Sequence, residues 1–192
     1  MMVEKQGLDA TTVLATYAIE LDIGAVPDDV VLRSRTVMAD TIGVLLEASR
    51  HTSVETALRA MPIAGPGPCT VVGHGRGATP ELAALVNGIG GHDIELDDAH
   101  ATAAGHPAAV IVPAVLAAAE ISNVSYGDVL AAVIGAYDVQ ARVFAAMGSS
   151  GLYVRGFHPS AVCGAISAAV AAGRIFGLSL DEMRSCIGLA AS

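Results

Sequence analysis

Residues 157–173, "FHPSAVCGAISAAVAAG", carry no formally charged side chain, and such a run leaves a chain few ways to fold. A helix that is apolar on every side is buried among other helices or in a bilayer. This run opens on a His-Pro step, meets Arg174 directly after Gly173, and holds about 13 strongly apolar or small residues, short of the ~20 that span a hydrocarbon core. Burial in a bundle of helices is the better account. Gly164, Ala168 and Ala172, and beside them Ala165, Ala169 and Gly173, recur at a spacing near four, so neighbouring helices can approach closely. The second of these rows has no obvious cover in the chain, and it predicts a face that self-associates or receives a partner.

The rest of the chain agrees with a helical bundle. Hydrophobic residues make up 53% of the 192 and aromatics only 4%, so the core has to be packed from small and aliphatic side chains. That length suits one domain, here residues 1–192. Period-3.6 patterns predict helices over about residues 9–23 and 28–48, the latter with Val30, Val37, Ile42 and Leu45 near one face, and a short one around 53–61. Proline and glycine then bracket the β-prone Thr70-Val71-Val72, which predicts a small hairpin or loop near 69–79. Thr79, Pro80 and Glu81 start a helix that runs to about Asn87 and breaks at Gly88, Gly90 and Gly91. His106-Pro107 opens an apolar helix to Glu120 with Pro113 inside it. Ser125 with Asp128, and Ser179 with Glu182, are capping boxes for two further helices, the first reaching about Met147. Between them the buried helix spans Ser160 to Phe176 and is closed by Gly177. The fold class expected is all-α.

Composition also excludes functions. A net charge of −9 is the wrong sign for nucleic acid. The N-terminus has no basic start, apolar core or small-residue cleavage site of a secretory signal, which makes the cytoplasm the expected location, with no membrane partner. Cys69, Cys163 and Cys186 are odd in number and scattered, and fit neither a disulfide framework nor a zinc knuckle. The last residues, "IGLAAS", end in mid-helix without a glycine or basic stop, which leads us to expect a chain that is cut off or completed by another chain.

Charge is concentrated where function is expected. From Gly90 to His106 the chain packs four carboxylates and three histidines into seventeen positions, "GGHDIELDDAHATAAGH". One reading is local: acidic residues before a helix favour its N-terminal dipole, and paired aspartates are common in turns. The other is a site, since Glu95, Asp97 and Asp98 cannot all be solvated alike. A second His-Pro helix start in "RGFHPSAVCGA", residues 155–165, weighs toward the site.

In this order, "VNGIGGHDIELDDAHATAAGHPAAVIVPAVLAAAE", "GAYDVQARV" and "GFHPSAVCGAISAAVAAGRIFGLSLDEMRSCIGLAAS" resemble the N-terminal half of the helical domain of the MmgE/PrpD family. That family includes 2-methylcitrate dehydratase, cis-aconitate decarboxylase and iminodisuccinate epimerase. The resemblance implies an all-helical bundle, a homodimer, and an active site with no metal or other cofactor. It places the family's acidic active-site position on Glu95, its two following aspartates on Asp97 and Asp98, and its active-site histidines on His106 and His158. Ala99 stands where several members have threonine, removing a hydroxyl that would orient a carboxylate. Family members are more than twice as long, and their catalytic lysines lie in the part beyond this chain, whose one lysine is Lys5. A second chain carrying that part is therefore the expected partner.

The chemistry implied is proton transfer next to a carboxylate of a small polycarboxylic acid: dehydration, decarboxylation or epimerisation. Histidine suits it because its ordinary pKa is near neutrality. His106 is the expected principal acid/base, His158 the second group or a carboxylate donor, and Glu95 the holder of an imidazole tautomer. Asp97, Asp98 and His92 would support the site, and Arg155 would bind substrate carboxylate. His51 and His74 read as loop residues, His100 equally as loop or site, and Arg142 as a helix-surface partner of Asp138. Two alternatives compete: a metal-dependent hydrolase using His92 and Asp93 as ligands, and a non-catalytic subunit or truncated remnant.

Overall fold

Helices begin where the sequence supplies a capping side chain. Asp9 accepts from the Thr12 amide at the start of α1 (Ala10–Glu20), Thr79 accepts from Leu82 at the start of α4 (Pro80–Asp93), and both capping boxes form, ahead of α6 (Tyr126–Met147) and α9 (Leu180–Ala190). The others are α2 (Asp28–Ala48), α3 (Thr52–Ala60), α5 (Pro107–Glu120), α7 (Gly151–Val154) and α8 (Pro159–Ile175), with a 3-10 turn at Ile23–Ala25. Two-residue strands β1 (Cys69–Thr70) and β2 (Gly77–Ala78) pair antiparallel, the expected hairpin. This computed structural model describes residues 9–61, 67–75, 77–101, 105–148 and 151–192; Lys5 lies outside them. The fold is all-α.

Helix α8 is the hub, packed most extensively on α6 and α5. The uncharged run of the sequence is thus buried by protein, as its composition predicts. Close approach is visible at Gly164, where a Cβ would come within 3.0 Å of the Val110 side chain on α5. Ile111, Val112, Val115, Leu130, Val133, Val139, Val170 and Met183 form the main core with α1 and α2 around them. A smaller cluster joins α3, α4 and the hairpin through Val54, Cys69, Val71 and Val86. Arg174 reaches from the end of α8 to the carbonyls of Ala18, Ile19 and Leu21, supplying donors to the open C-terminus of α1. Helix α6 is long and apolar enough to cross a membrane by length and composition, and half of it is buried inside the bundle.

Three expectations need correction, and one helix was unexpected. On α2 the buried face is Ser34, Met38, Thr41, Val44, Leu45 and Ala48, while Val30 is exposed; Ser34 and Thr41 tolerate burial because each hydroxyl donates to a carbonyl one turn back, Val31 and Val37. Helix α4 does not break at Gly88 but continues to Asp93. Its glycines serve packing: a Cβ at Gly90 would meet Val54 at 3.2 Å, and one at Gly91 would meet the Ala109 backbone at 3.4 Å. The row Ala165, Ala169, Gly173 is not open along its length, because α9 lies over its C-terminal part, with Met183 against Gly173 and the Cys186 thiol near the Ala169 carbonyl. Helix α7, which no sequence signal marked, closes a third cluster of Phe144, Leu152 and Cys163.

Candidate active site

Because α4 continues past its glycines, His92 stands on its last turn and not in a loop. The chain leaves that helix through Glu95 at φ 51°, the one non-glycine among the described residues with positive φ. Two residues later Asp97 enters the protein with 1% of its side chain exposed. Its Oδ2 lies 2.7 Å from His92 Nδ1, and its Oδ1 lies 3.4 Å from His106 Nδ1. A single buried carboxylate therefore faces two imidazoles. The rings of His92 and His106 are 4.9 Å apart, and that of His158 is 5.2 Å from His92.

The two His-Pro steps are tied to one another. His158 is the N-cap of α8, its Nδ1 accepting from the Ser160 amide at 3.1 Å. Ser160, itself buried, accepts on Oγ from the His106 amide at 2.9 Å. Gly105 permits this contact, since a Cβ there would stand 2.6 Å from Ser160 Oγ. On the other side Asp98 caps α5 from outside it: Oδ1 accepts from the Ala108 amide and Oδ2 from the Tyr137 hydroxyl, each at 2.9 Å. Burial raises the Asp98 pKa, an effect that these two bonds oppose. Burial, and then the Asp98 charge, push the Tyr137 hydroxyl far above its ordinary value.

The structure thus brings together His92, Asp97, Asp98, His106 and His158. Glu95 stays at the rim, with 72% of its side chain exposed and Oε1 3.8 Å from His92 Nε2, so the inward carboxylate is Asp97. Arg155 sits at the surface beyond α7, its guanidinium over the Phe157 ring. His100 donates its amide to Gly105 and its ring lies 6.4 Å from Tyr137. The pair His92 and Asp93 diverges: Asp93 faces His51 at 3.2 Å while His92 turns to Asp97. His74 bonds the Ser49 carbonyl, and Arg142 pairs with Asp138 at 2.7 Å. Ser160, Gly105 and Tyr137 were missed. Ser160 had a signal, its place two residues inside a His-Pro helix start; Tyr137, 39 residues from Asp98 in sequence, had none.

A cavity of about 570 Å³ opens beside the imidazoles, lined by Leu85, Gly88, His92, Val110, His158 and Ser160 among others, and it is mostly apolar. A larger one, about 930 Å³, lies on the far side of Asp98 against Arg33, Tyr17 and Tyr137. His92 and His158 line the smaller cavity, and Asp98 and His100 the larger one. Taken together, three imidazoles and the carboxylates of Asp97 and Asp98 offer groups able to accept and donate protons. His92, Asp97 and His106 also offer one ligand atom each within 4.8 Å of one another, a donor set able to meet a cation.

Among known proteins, the chain is 35% identical over 190 residues to the cis-aconitate decarboxylase-like protein oryM of Aspergillus oryzae, covering 95% of this chain and 39% of that one. It is 33% identical over 186 residues to cis-aconitate decarboxylase of Aspergillus terreus, covering 94% and 38%. To the cis-aconitate decarboxylase of Homo sapiens it is 27% identical over 195 residues, covering 95% and 39%. The chain spans about two fifths of the length of these relatives. Residues 12–192 match the MmgE/PrpD N-terminal domain, and the chain belongs to the MmgE/PrpD family.

Proposed function

We propose that this chain is the histidine-bearing part of a lyase that acts next to a carboxylate of a small polycarboxylic acid, with decarboxylation of a cis-aconitate-like acid as the first reaction to test. The relatives' names point to that reaction. The single observation that carries the reading is the buried Asp97 carboxylate against His92 and His106, with His158 5.2 Å from His92.

The groups that face each Nδ1, a hydrogen-bonding carboxylate for His92, the same carboxylate at 3.4 Å for His106 and a backbone amide for His158, favour complementary tautomers. A carboxylate facing Nδ1 favours the proton there, so neutral His106 and His92 keep a lone pair on Nε2 and serve as bases. His158 accepts a backbone amide on Nδ1, so its neutral ring carries the proton on Nε2 and serves as a donor. Base and acid then stand side by side in one protonation state. In a decarboxylation the C–C bond breaks, carbon dioxide leaves, and the carbon that keeps the electron pair takes a proton from the acid. In a dehydration the base removes a proton from carbon while the acid protonates the departing hydroxyl. We assign His106 as principal base and His158 as donor, with Asp97 and Asp98 as positioning residues.

An anionic substrate needs cations that this cluster lacks. Arg142 is engaged with Asp138, Arg174 with the carbonyls of α1, and Arg184 with Asp9 and Asp181. Among the described arginines, Arg33 lines the larger cavity with Asp98 and Arg155 lies at the surface; we propose that one of these or a segment equivalent to the rest of the relatives supplies the clamp, in a homodimer or with a second chain. The test is to assay the chain alone and joined to such a segment on aconitate-like, citrate-like and aminosuccinate-like acids. We expect turnover in the joined protein, lowered roughly 10²–10⁴-fold by His106→Ala, as for loss of a general base, and strongly by His158→Ala. Full activity of both variants would refute the assignment.

A further inference from the structure

We propose that Gln140 and Ser167, buried between α6 and α8, are positioning residues: they fix the register of the two helices and so hold His106 and Asp98 in place from outside the histidine cluster. Ser167 Oγ donates to Gln140 Oε1 at 2.7 Å, and both side chains are fully buried. Gln140 is the one polar side chain among the buried residues of α6. Its Nε2 has no hydrogen-bond partner among the described residues, so the pair is kept at a cost that an apolar pair avoids. The best-attested use of a buried polar group of this kind is to set register. Register needs setting here. Ala132, Val133 and Ala136 of α6 and Gly164, Val170 and Ala171 of α8 form shallow ridges, which fit one another in more than one alignment.

The register matters because four hydrogen bonds close a circuit through three helices. One turn before Gln140 on α6, Tyr137 donates to Asp98 Oδ2, and Asp98 Oδ1 accepts from the Ala108 amide in the first turn of α5. Beside it the His106 amide donates to Ser160 Oγ on α8, and two turns further along α8 Ser167 returns to Gln140. Tyr137 and Gln140 are three residues apart and Ser160 and Ser167 seven, spacings that keep each pair on one helix face. The Gln140–Ser167 bond is the one link in the circuit that touches neither the acidic turn nor a helix start. Sliding of α8 against α6 moves Ser160 relative to Tyr137. Because His106 and Asp98 are bonded to those two residues, they then lose their common frame. The catalytic consequence rests on the function proposed above, whereas the geometric one does not and is measured without turnover.

The test is amide hydrogen exchange by NMR on the wild-type chain, Gln140→Met, Ser167→Ala and the double variant, with thermal melting beside it. Ser167→Ala alone leaves the buried Gln140 Oε1 without its donor and should melt lower; the double variant replaces both polar groups by apolar ones and should melt close to wild type. We expect the His106 and Ala108 amides of the double variant to exchange about tenfold faster or more, as for an opened local contact. The Val72 amide, likewise bonded to a side chain, Asn87 Oδ1, should be unchanged. A pair that served stability alone would not give this pattern, because lower global stability speeds every amide that exchanges by global unfolding. If the double variant fails to fold, Gln140→Met, in which Ser167 keeps its bond to the Gly164 carbonyl, is read in the same way. Faster exchange at both amides with turnover of the joined protein unchanged would support the positioning role and count against the function proposed above. Exchange at His106 and Ala108 that matches wild type in a folded variant, or that rises by the same factor at Val72, would overturn the proposal.

Discussion

Helices α5 and α8 both start on a His-Pro step and both are rich in alanine and valine, yet their imidazoles have different duties. His158 caps its own helix, its Nδ1 committed to the Ser160 amide. His106 makes no side-chain cap; Asp98, ten residues before Ala108, takes that work from outside the helix. The difference frees His106 Nδ1 to face Asp97. One motif in the sequence thus yields a ring whose Nδ1 meets a backbone amide and a ring whose Nδ1 faces a buried carboxylate, and on the proposed reading these contacts favour opposite tautomers.

The strongest way to break this contrast is to remove the borrowed cap. Asp98→Ala leaves the Ala108 amide and the buried Tyr137 hydroxyl without an acceptor, and should cost about 3 kcal/mol. For a chain of this size that corresponds to a Tm lower by roughly 6–12 °C, readable by thermal melting. His158→Ala, whose helix has lost a cap of its own, should melt closer to wild type, by about 1 kcal/mol.

A smaller effect is expected where the two helix starts meet. Gly105→Ala drives a methyl into Ser160 Oγ and pushes the His106 and His158 corners apart. We expect a loss of about 1–3 kcal/mol, as for overpacking, with a larger proportional loss of activity in the joined protein than of stability. Ser160→Ala, which deletes the contacted oxygen, should restore stability to the double variant; additive losses would show that the contact is not what Gly105 serves.

The smallest effect is a sign in the pH dependence. Asp9, Asp128 and Glu182 have lowered pKa values because backbone or hydroxyl donors of Thr12, Ser125 and Ser179 bond their carboxylates, so their stabilisation is present above the unfolded values and is lost as pH falls through the folded ones. Asp98 runs the other way. Its raised folded pKa means the native state binds that proton more tightly, and its penalty, present at neutral pH, is relieved as pH falls through the folded value toward 3.8. Denaturant melts at stepwise lower pH should therefore find wild type gaining on Asp98→Asn while both lose stability. A gap that moves the other way would mean Asp98 is better solvated than its contacts suggest.

How much of this was legible in sequence depended on the range of the interaction. Capping boxes at Ser125 and Ser179 and the Thr79-Pro80 start are local, and the helices begin where those residues stand. The glycines after Asn87 read as a break because a glycine's local cost is visible in sequence and the neighbouring helix that requires its small size is not. The choice between Glu95 and Asp97 as the inward carboxylate rests on a positive φ at Glu95, for which no glycine or asparagine gave warning. The His-Pro motif marks the helix starts at His106 and His158, whereas Tyr137 and Ser160 make their contacts to Asp98 and to the His106 amide only when α6 and α8 meet the acidic turn.

The central claim, that Asp97 and the Ser160 amide set opposite tautomers on two equivalent-looking histidines, is tested most directly by long-range proton–nitrogen correlation spectra of the ¹⁵N-histidine-labelled chain, above the pH range where imidazoles ordinarily titrate. Assignments come from His106→Gln and His158→Gln. The account predicts His106 protonated on Nδ1 and His158 on Nε2, with the His106 pattern lost in Asp97→Asn and that of His158 unchanged. Both rings on Nε2, the usual preference of a solvated imidazole, would contradict it.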